Sequence, residues 1–331
     1  MCFSFVAACN WIVNPFGQYS PKLMKPIVQD SRSEKFELFE RLESQPDGLI
    51  LGSSRAMKFE PSYLAERTSL SFFNFSVNHG RPEDFLATVR MYRSRFGKFP
   101  KAVLIGVDVA SLNDIVPNDA RLSAEPKLFA FVRDVLPWNE EFDRFSQLLS
   151  YQQFSSSIKS ICAVIGLKGT KENEERFDGD GVIQYLKRQS QLADGTYNFE
   201  DAIEYNEQEF LSVFGQLKEL STKRLDYLRE TIRLCESNDC QVYLFTTVNH
   251  PQLRAVLIAK TEFPKIEQKA IQVLTQLAQE YGAQFVDFGT IESFAGDAKA
   301  FVDGIHPLES NTRRMVDRVM PRSSEANYAI Q

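Results

Sequence analysis

The chain has 331 residues, with 38 basic and 44 acidic side chains and a formal net charge of −6. Hydrophobic residues at 43% and charged residues at 25% suit one large folded domain or two smaller ones, and are too apolar for a disordered chain. The acidic balance, with no long Lys/Arg run, excludes nucleic acid as the main partner, because phosphate binding needs a clustered basic footprint.

The first thirteen residues, Met1 to Val13, are apolar but shorter than the roughly 20 residues that span a membrane. They lack the positive start of a secretory signal, although Ala7-Ala8-Cys9 resembles a processing region. Two readings stand: the remnant of an apolar membrane anchor, shortened by a late start codon, or a hydrophobic arm packed on the protein. Pro15 to Lys35 has no period and reads as a linker or wrapped arm. Ser33 to Glu43 predicts a short amphipathic helix, with Phe36, Phe39 and Leu42 along one side. Gly48 to Leu51 is an apolar run stopped by Gly52, as in a strand buried on both faces. Similar runs recur at Leu70 to Phe75, Ala102 to Val107, Val242 to Thr247 and Gln284 to Phe288. Helical patterns lie between them at Pro82 to Arg95, Leu217 to Ser237, Lys265 to Tyr281 and Ser310 to Met320. This alternation predicts an α/β protein with a three-layer α/β/α arrangement and a mostly parallel sheet.

Asn113 to Phe214 breaks the rhythm. It holds helical stretches at Pro126 to Leu136 and Glu141 to Val164, then a polar patch from Lys168 to Val182. It reads as a helical insertion on the core, and as a candidate lid or substrate-selecting cap. The expected organisation is an arm and linker over 1–32, an α/β domain over 33–322 with its insertion at about 113–214, and a tail over 323–331. Asp178-Gly179-Asp180 lacks the spacing and final Glu of a calcium loop and reads as a turn. No Cys pair has zinc-site spacing, and Cys235 and Cys240 are either a disulfide or two thiols beside a turn.

Chemistry concentrates in two places. Leu49-Ile50-Leu51-Gly52-Ser53-Ser54-Arg55-Ala56 sets hydroxyl residues at a strand's carboxyl end, close to a helix amino terminus whose N–H groups favour developing negative charge. The bland alternative is an ordinary helix N-cap. Asp303-Gly304-Ile305-His306, just before the last helix, puts a carboxylate and an imidazole three residues apart. A serine needs a base to take its proton, and the base works better when a carboxylate holds its tautomer. The chain has only three histidines, His79, His250 and His306, so any catalytic imidazole is one of them.

Gly52-Ser53-Ser54, the Asn74-Phe75-Ser76-Val77-Asn78 segment, the Gly106-Val107-Asp108 strand end and Asp303-x-x-His306 resemble the four ordered blocks of the SGNH (GDSL-like) hydrolase superfamily. The closest likeness is to its cell-envelope branch, which includes proteins similar to alginate O-acetyltransferases and the D-alanyl transfer protein of teichoic acid modification. The stretch from Asn14-Pro15-Phe16-Gly17 through Asp30-x-Arg32-x-x-Lys35 also resembles the arm that follows the membrane anchor in that branch. The resemblance implies Ser54 as nucleophile, His306 as general base and Asp303 as its orienting partner. It implies an oxyanion hole from the backbone N–H of Ser54 and that of Ser76, with a side-chain donor from Asn74 or Asn78. At the third block the family has asparagine where this chain has Asp108, and a carboxylate there repels an oxyanion unless protonated.

Around this core, His79 is expected to line the pocket. Arg55 is expected either to pair with an acidic or sugar-bound group or to fix the turn through a carboxylate such as Asp108. Asn249-His250 follows a strand end on the same face and either binds substrate or caps a loop. The resemblance further implies an acyl ester or acylated polysaccharide as substrate, no cofactor or metal, and a place in the cell envelope with membrane association through the amino terminus; a cytoplasmic protein is the alternative. The rival from another class is a catalytically silent binding or scaffold protein. A nucleotide-binding protein is a weaker third, since no Gly-x-Gly-x-x-Gly or P-loop follows any strand.

Overall fold

The structure is a computed structural model and describes residues 2–15, 19, 23–24, 31–115, 120–135, 148–149, 151–165 and 175–320. The tail over 323–331, the patch from Lys168 to Glu174, most of the arm motif between Phe16 and Asp30, and most of the first third of the helix expected over Glu141 to Val164 lie outside the described residues. The chain divides into two compact units, 1–34 with 118–174 and 35–117 with 175–331.

In the larger unit, the uninterrupted apolar runs become strands because both of their faces are covered. They are β1 (Gly48–Leu51), β2 (Phe72–Asn74) and β3 (Ala102–Val107), with the later strands at Gln241–Thr246 and Gln284–Val286. All five are parallel, in the order β2, β1, β3, Gln241–Thr246, Gln284–Val286. Ile50, Leu104 and Phe245 point to one face, where they meet Met315, Val316 and Val319 of the last helix. Leu49, Val103, Ile105, Val242 and Leu244 alternate with these residues along the strands and are equally buried. The protein is therefore an α/β protein with helices on both faces of a parallel sheet, as the alternation predicts.

Local signals set the helix ends. The amino-terminal helices are α1 (Cys2–Val13) and α2 (Ser31–Glu40), and α3 (Pro61–Thr68) precedes β2. Next, α4 (Pro82–Phe96) starts on a proline, with Asp84 accepting from the Arg81 N–H, and stops at Gly97 with φ 73°. In the smaller unit lie α5 (Ala120–Ala124), α6 (Pro126–Phe129) and α7 (Tyr151–Val164). Helix α6 is shorter than the Pro126 to Leu136 pattern suggests, its continuation over 130–135 being turns. A hairpin of β4 (Glu175–Phe177) and β5 (Ile183–Tyr185) then opens the return to the larger unit, followed by α8 (Leu186–Ala193) and α9 (Phe199–Gln216). Helix α10 (Thr222–Glu236) begins five residues later than its apolar pattern, because the Ser221 hydroxyl caps the Arg224 N–H. The strand Gln241–Thr246 is β6, followed by α11 (Pro251–Lys260) and α12 (Phe263–Tyr281). The strand Gln284–Val286 is β7, and α13 (Glu309–Val319) closes the described chain. Strand β7 stops short of Phe288 because the Asp287 side chain turns back to the Thr246 hydroxyl and the Gly289 N–H.

The expected insertion over 113–214 is not one body. Residues 118–174 join the amino-terminal arm in the smaller unit, and 175–214 belong to the sheet unit. Within the smaller unit α1 packs against α7, and buried Asn10 donates to the Leu148 carbonyl at 2.8 Å and accepts from Ser157 at 2.8 Å. No helix among the described residues is long and apolar enough to cross a membrane. Cys235 and Cys240 are both buried free thiols, so the disulfide alternative does not form.

The Asp178 to Val182 turn is an Asx turn, its carboxylate accepting from the Asp180 and Val182 N–H groups. It extends the sheet edge, where Asn74 donates its N–H to the Asp180 carbonyl at 2.9 Å. Gly181, at φ 83°, sits so close that a Cβ would lie 2.2 Å from the Asn74 oxygen. Fully buried Lys35 locks the join. Its ammonium donates to the carbonyls of Asn74, at 2.7 Å, and Gly181, and rests 4.3 Å from the Phe177 ring centre. Lys35→Met is expected to remove a charged donor from two buried carbonyls and cost about 2–4 kcal/mol in urea unfolding. A loss below about 0.5 kcal/mol rejects this role.

Candidate active site

Strand β1 lies where the chain order reverses, with β2 on one side and β3 on the other. In such sheets the crevice beyond the strand carboxyl ends at that point is the usual ligand site. β1 is followed by Gly52, where a Cβ would lie 2.7 Å from that of Ala56 and 3.3 Å from the Gly106 carbonyl, so only glycine lets the chain turn this tightly. Ser53 caps a single 3-10 turn, Ser54–Ala56, by accepting from the Arg55 N–H at 3.2 Å. Ser53 thus takes the N-cap role, and Ser54 is left half-buried with its hydroxyl presented. The backbone N–H of Ser54 has no partner among the described residues.

The second half of the site is the loop before α13. Phe301 and Pro307 bridge across it, and the Val302 N–H donates to the His306 carbonyl at 2.8 Å. Inside this turn, buried Asp303 accepts from the Ile305 N–H at 2.9 Å and the His306 N–H at 3.0 Å. The same carboxylate meets His306 Nδ1 at 2.8 Å and 3.0 Å. The other ring nitrogen, Nε2, is 2.8 Å from Ser54 Oγ. A carboxylate, an imidazole and a hydroxyl are thus in one hydrogen-bonded line, assembled from segments 252 residues apart in sequence. Burial pushes the Asp303 carboxyl up, but His306, the Ile305 N–H and Arg188 outweigh it and bring its pKa down to about 2.

The remaining expected residues divide. Asn74 is fully buried and is a strut: its amide donates to the Ala56 and Phe59 carbonyls at 2.9 Å each, and its Oδ1 accepts from the Ser76 N–H at 2.9 Å. This corrects two expectations at once, because the Asn74 side chain and the Ser76 N–H are both spent internally and neither is free for an oxyanion. Asn78 is half-buried and His79 exposed, in the turn closed by Gly80 N–H to the Val77 carbonyl at 2.9 Å. Gly80 presses on Gly52, where a Cβ would lie 2.1 Å from the carbonyl oxygen, so that turn rims the Ser53–Ser54 bend.

Arg55 is engaged within the fold. It is buried, and its guanidinium donates to the Val248 carbonyl and to Asn249 Oδ1 at 2.9 Å, with Asp108 at 3.9 Å. It fixes the turn, the second of its two expected roles. Asp108 accepts from the Thr247 hydroxyl at 2.6 Å and is thereby tied to the neighbouring strand end. Asn249, its oxygen held by Arg55, has an amide nitrogen with no partner among the described residues and lines a cavity of about 170 Å³ with Arg254, Ile258, Ile291 and Glu292. His250 is a capping residue. Its Nδ1 accepts from the Gln252 N–H at 3.3 Å, its N–H donates to the Gly304 carbonyl at 2.9 Å, and Phe199 and Phe301 enclose the ring. Burial holds its pKa below the ordinary imidazole value.

Sequence reasoning missed the groups that hold the Asp303 loop from the far side. Asn206 of α9 accepts from the Gly304 N–H at 2.9 Å, and Tyr197 donates its hydroxyl to the Val302 carbonyl at 2.5 Å. Arg188 reaches Asp303 Oδ2 at 3.4 Å, and the Tyr185 ring lies 6.3 Å, centre to centre, from that of His306. All four come from the stretch expected to be a lid, on a strand end, two helices and a loop, and nothing in their local spacing marks them as partners of the Asp303 loop. Among the described residues no group of three His, Cys, Asp or Glu side chains is placed to hold a metal ion. No protein-family model matches the chain, and a search of curated proteins finds no match, so the functional reading rests on this geometry and on the resemblance of the four blocks.

Proposed function

We propose that the protein is an SGNH-like serine esterase or O-acyltransferase that works through a Ser54 acyl-enzyme. The single observation that carries this reading is the line Ser54 Oγ, His306 Nε2, His306 Nδ1, Asp303, with 2.8 Å at each junction. Such spacing lies within the reach required of a nucleophile and its base. In the proposed cycle Ser54 Oγ bonds to the acyl carbon as His306 Nε2 takes its proton. The imidazolium then returns that proton to the departing alkoxide, leaving the acyl group on Ser54. Water or a sugar hydroxyl next attacks the acyl-enzyme, giving its proton to His306 and restoring Ser54. Asp303 stays ionised and holds the imidazole tautomer, while the Ser54 N–H faces the developing oxyanion. The cycle needs no cofactor.

The proposed substrate, an acetyl or other acyl ester of an envelope polysaccharide, follows from the resemblance alone. Residence in the cell envelope is proposed with it. The apolar α1, with Phe5, Trp11 and Ile12 exposed and no charged residue in its length, supports membrane association through the amino terminus.

The silent reading, a binding or scaffold relative, draws on two observations: Asp108 at the third block and the spent N–H of Ser76 leave fewer donors for an oxyanion than the resemblance implies. A fluorophosphonate probe decides between the two. The proposal expects covalent labelling of the folded wild-type chain that disappears in Ser54→Ala. No labelling of the wild type favours the silent protein.

A further inference from the structure

We infer that Arg188 is a positioning residue for the acid–base pair, a fixed cation that braces the outer oxygen of Asp303 and sets how readily His306 holds a second proton. The inference rests on the proposed roles of Ser54, His306 and Asp303. Arg188 lies in the first turns of α8, far in sequence from the loop it serves, and its guanidinium stacks over the Tyr185 ring at 5.1 Å. That ring in turn packs beside His306, so one side chain touches the carboxylate and buttresses the wall of the imidazole. The guanidinium meets Asp303 Oδ2, the oxygen that also receives His306 Nδ1. Two cations, Arg188 and a protonated His306, therefore compete for one carboxylate.

The other charged and titratable groups around this pair are already committed. Arg55 also feels the Asp303 charge but is buried and bound to Val248 and Asn249. Lys58 sits 5.4 Å from the Tyr185 ring centre and is paired with Glu309 at 2.6 Å. Tyr197 gives its hydroxyl to the Val302 carbonyl, and His250 caps α11. Arg188 is one-third exposed, so it can be replaced without burying an orphan charge.

The sign follows from the geometry. A cation beside Asp303 disfavours the imidazolium; removing it leaves the carboxylate to His306 alone and raises the pH at which the ring titrates. With partial solvent screening, the rise expected for a charge at this range is about 0.5–1 pH unit. The test is an imidazole NMR titration of the full chain, in which three histidines give three signals and His306→Gln identifies one of them. Arg188→Met is expected to raise the His306 midpoint by about 0.5–1 unit, with His79 unmoved, and Arg188→Lys to return most of that shift. A His306 midpoint that stays put or falls in Arg188→Met overturns the inference, as does a lysine variant that behaves like methionine. The readout needs no substrate. A shifted midpoint in a chain that hydrolyses no ester keeps the inference and removes the proposed activity, whereas an active chain with an unshifted midpoint does the reverse.

Discussion

Ser54→Ala and His306→Ala are each expected to lower turnover of a small acyl ester by about 10³-fold or more, and the double variant to fall little further. A serine hydroxyl has negligible nucleophilicity at neutral pH until a base removes its proton in the same step. The His306 ring is the base at 2.8 Å, and with it gone the hydroxyl faces no other imidazole, since His250 is committed to capping and His79 is exposed on the rim turn. Non-additivity is the sharper prediction. Two groups that act in one proton transfer are lost together when either is removed, whereas two independent contacts would multiply their effects. Steady-state rates on an aryl acetate for the wild type, both singles and the double decide it. Near-wild-type turnover in either single, or a double variant lower by the product of both losses, rejects the triad. Residual rate in all three variants is expected from the backbone N–H at position 54 and substrate positioning.

Asp303→Asn is expected to lower the same rate by about 10²–10⁴-fold with the fold retained. The carboxylate accepts from Nδ1 and thereby leaves Nε2 as the acceptor that faces Ser54. An asparagine amide turned toward the ring donates to Nδ1, selects the other tautomer, and points an N–H at the serine oxygen. The pH dependence of stability gives an independent check. Asp303 has a folded pKa of about 2 against an ordinary 3.8, the balance of burial, which raises it, and His306, the Ile305 N–H and Arg188, which lower it by more. A depressed carboxyl stabilises the folded state above its unfolded value. The contribution of about 2 kcal/mol is whole above about pH 5 and is lost as pH falls from about 4 toward 2. Thermal unfolding of the wild type and Asp303→Asn should therefore converge as pH drops through that window. A constant gap between pH 6 and pH 3 would reject the assignment.

Much of the sheet was legible because parallel strands buried on both faces are written as unbroken apolar runs. β1 and β3 fall at their predicted limits, and β6 is displaced by one residue. Boundaries slipped where a side chain intervened: Ser221 delays α10, and Asp287 ends β7 early. Within the site, Ser54, Asp303 and His306 were readable because each sits in a short motif whose chemistry is local. Asn74 and Ser76 were misread because a motif does not reveal whether a donor is already spent. The side-chain oxygen of Asn74 reaches the Ser76 N–H only in the bend that the hairpin turn and Lys35 hold in place.

The composition and order of residues determined the layered α/β class and the chemical kinds of the three residues in line, since burial patterning and reactivity belong to side chains taken a few at a time. Tertiary structure alone decided that the hydroxyl, imidazole and carboxylate stand in line with 2.8 Å at each junction, and that Arg188, Tyr185, Tyr197 and Asn206 stand behind them. The physical reason is range. A hydrogen bond is made over about 3 Å in space, whatever the separation along the chain, and the contacts that hold the Asp303 loop join residues about a hundred positions apart.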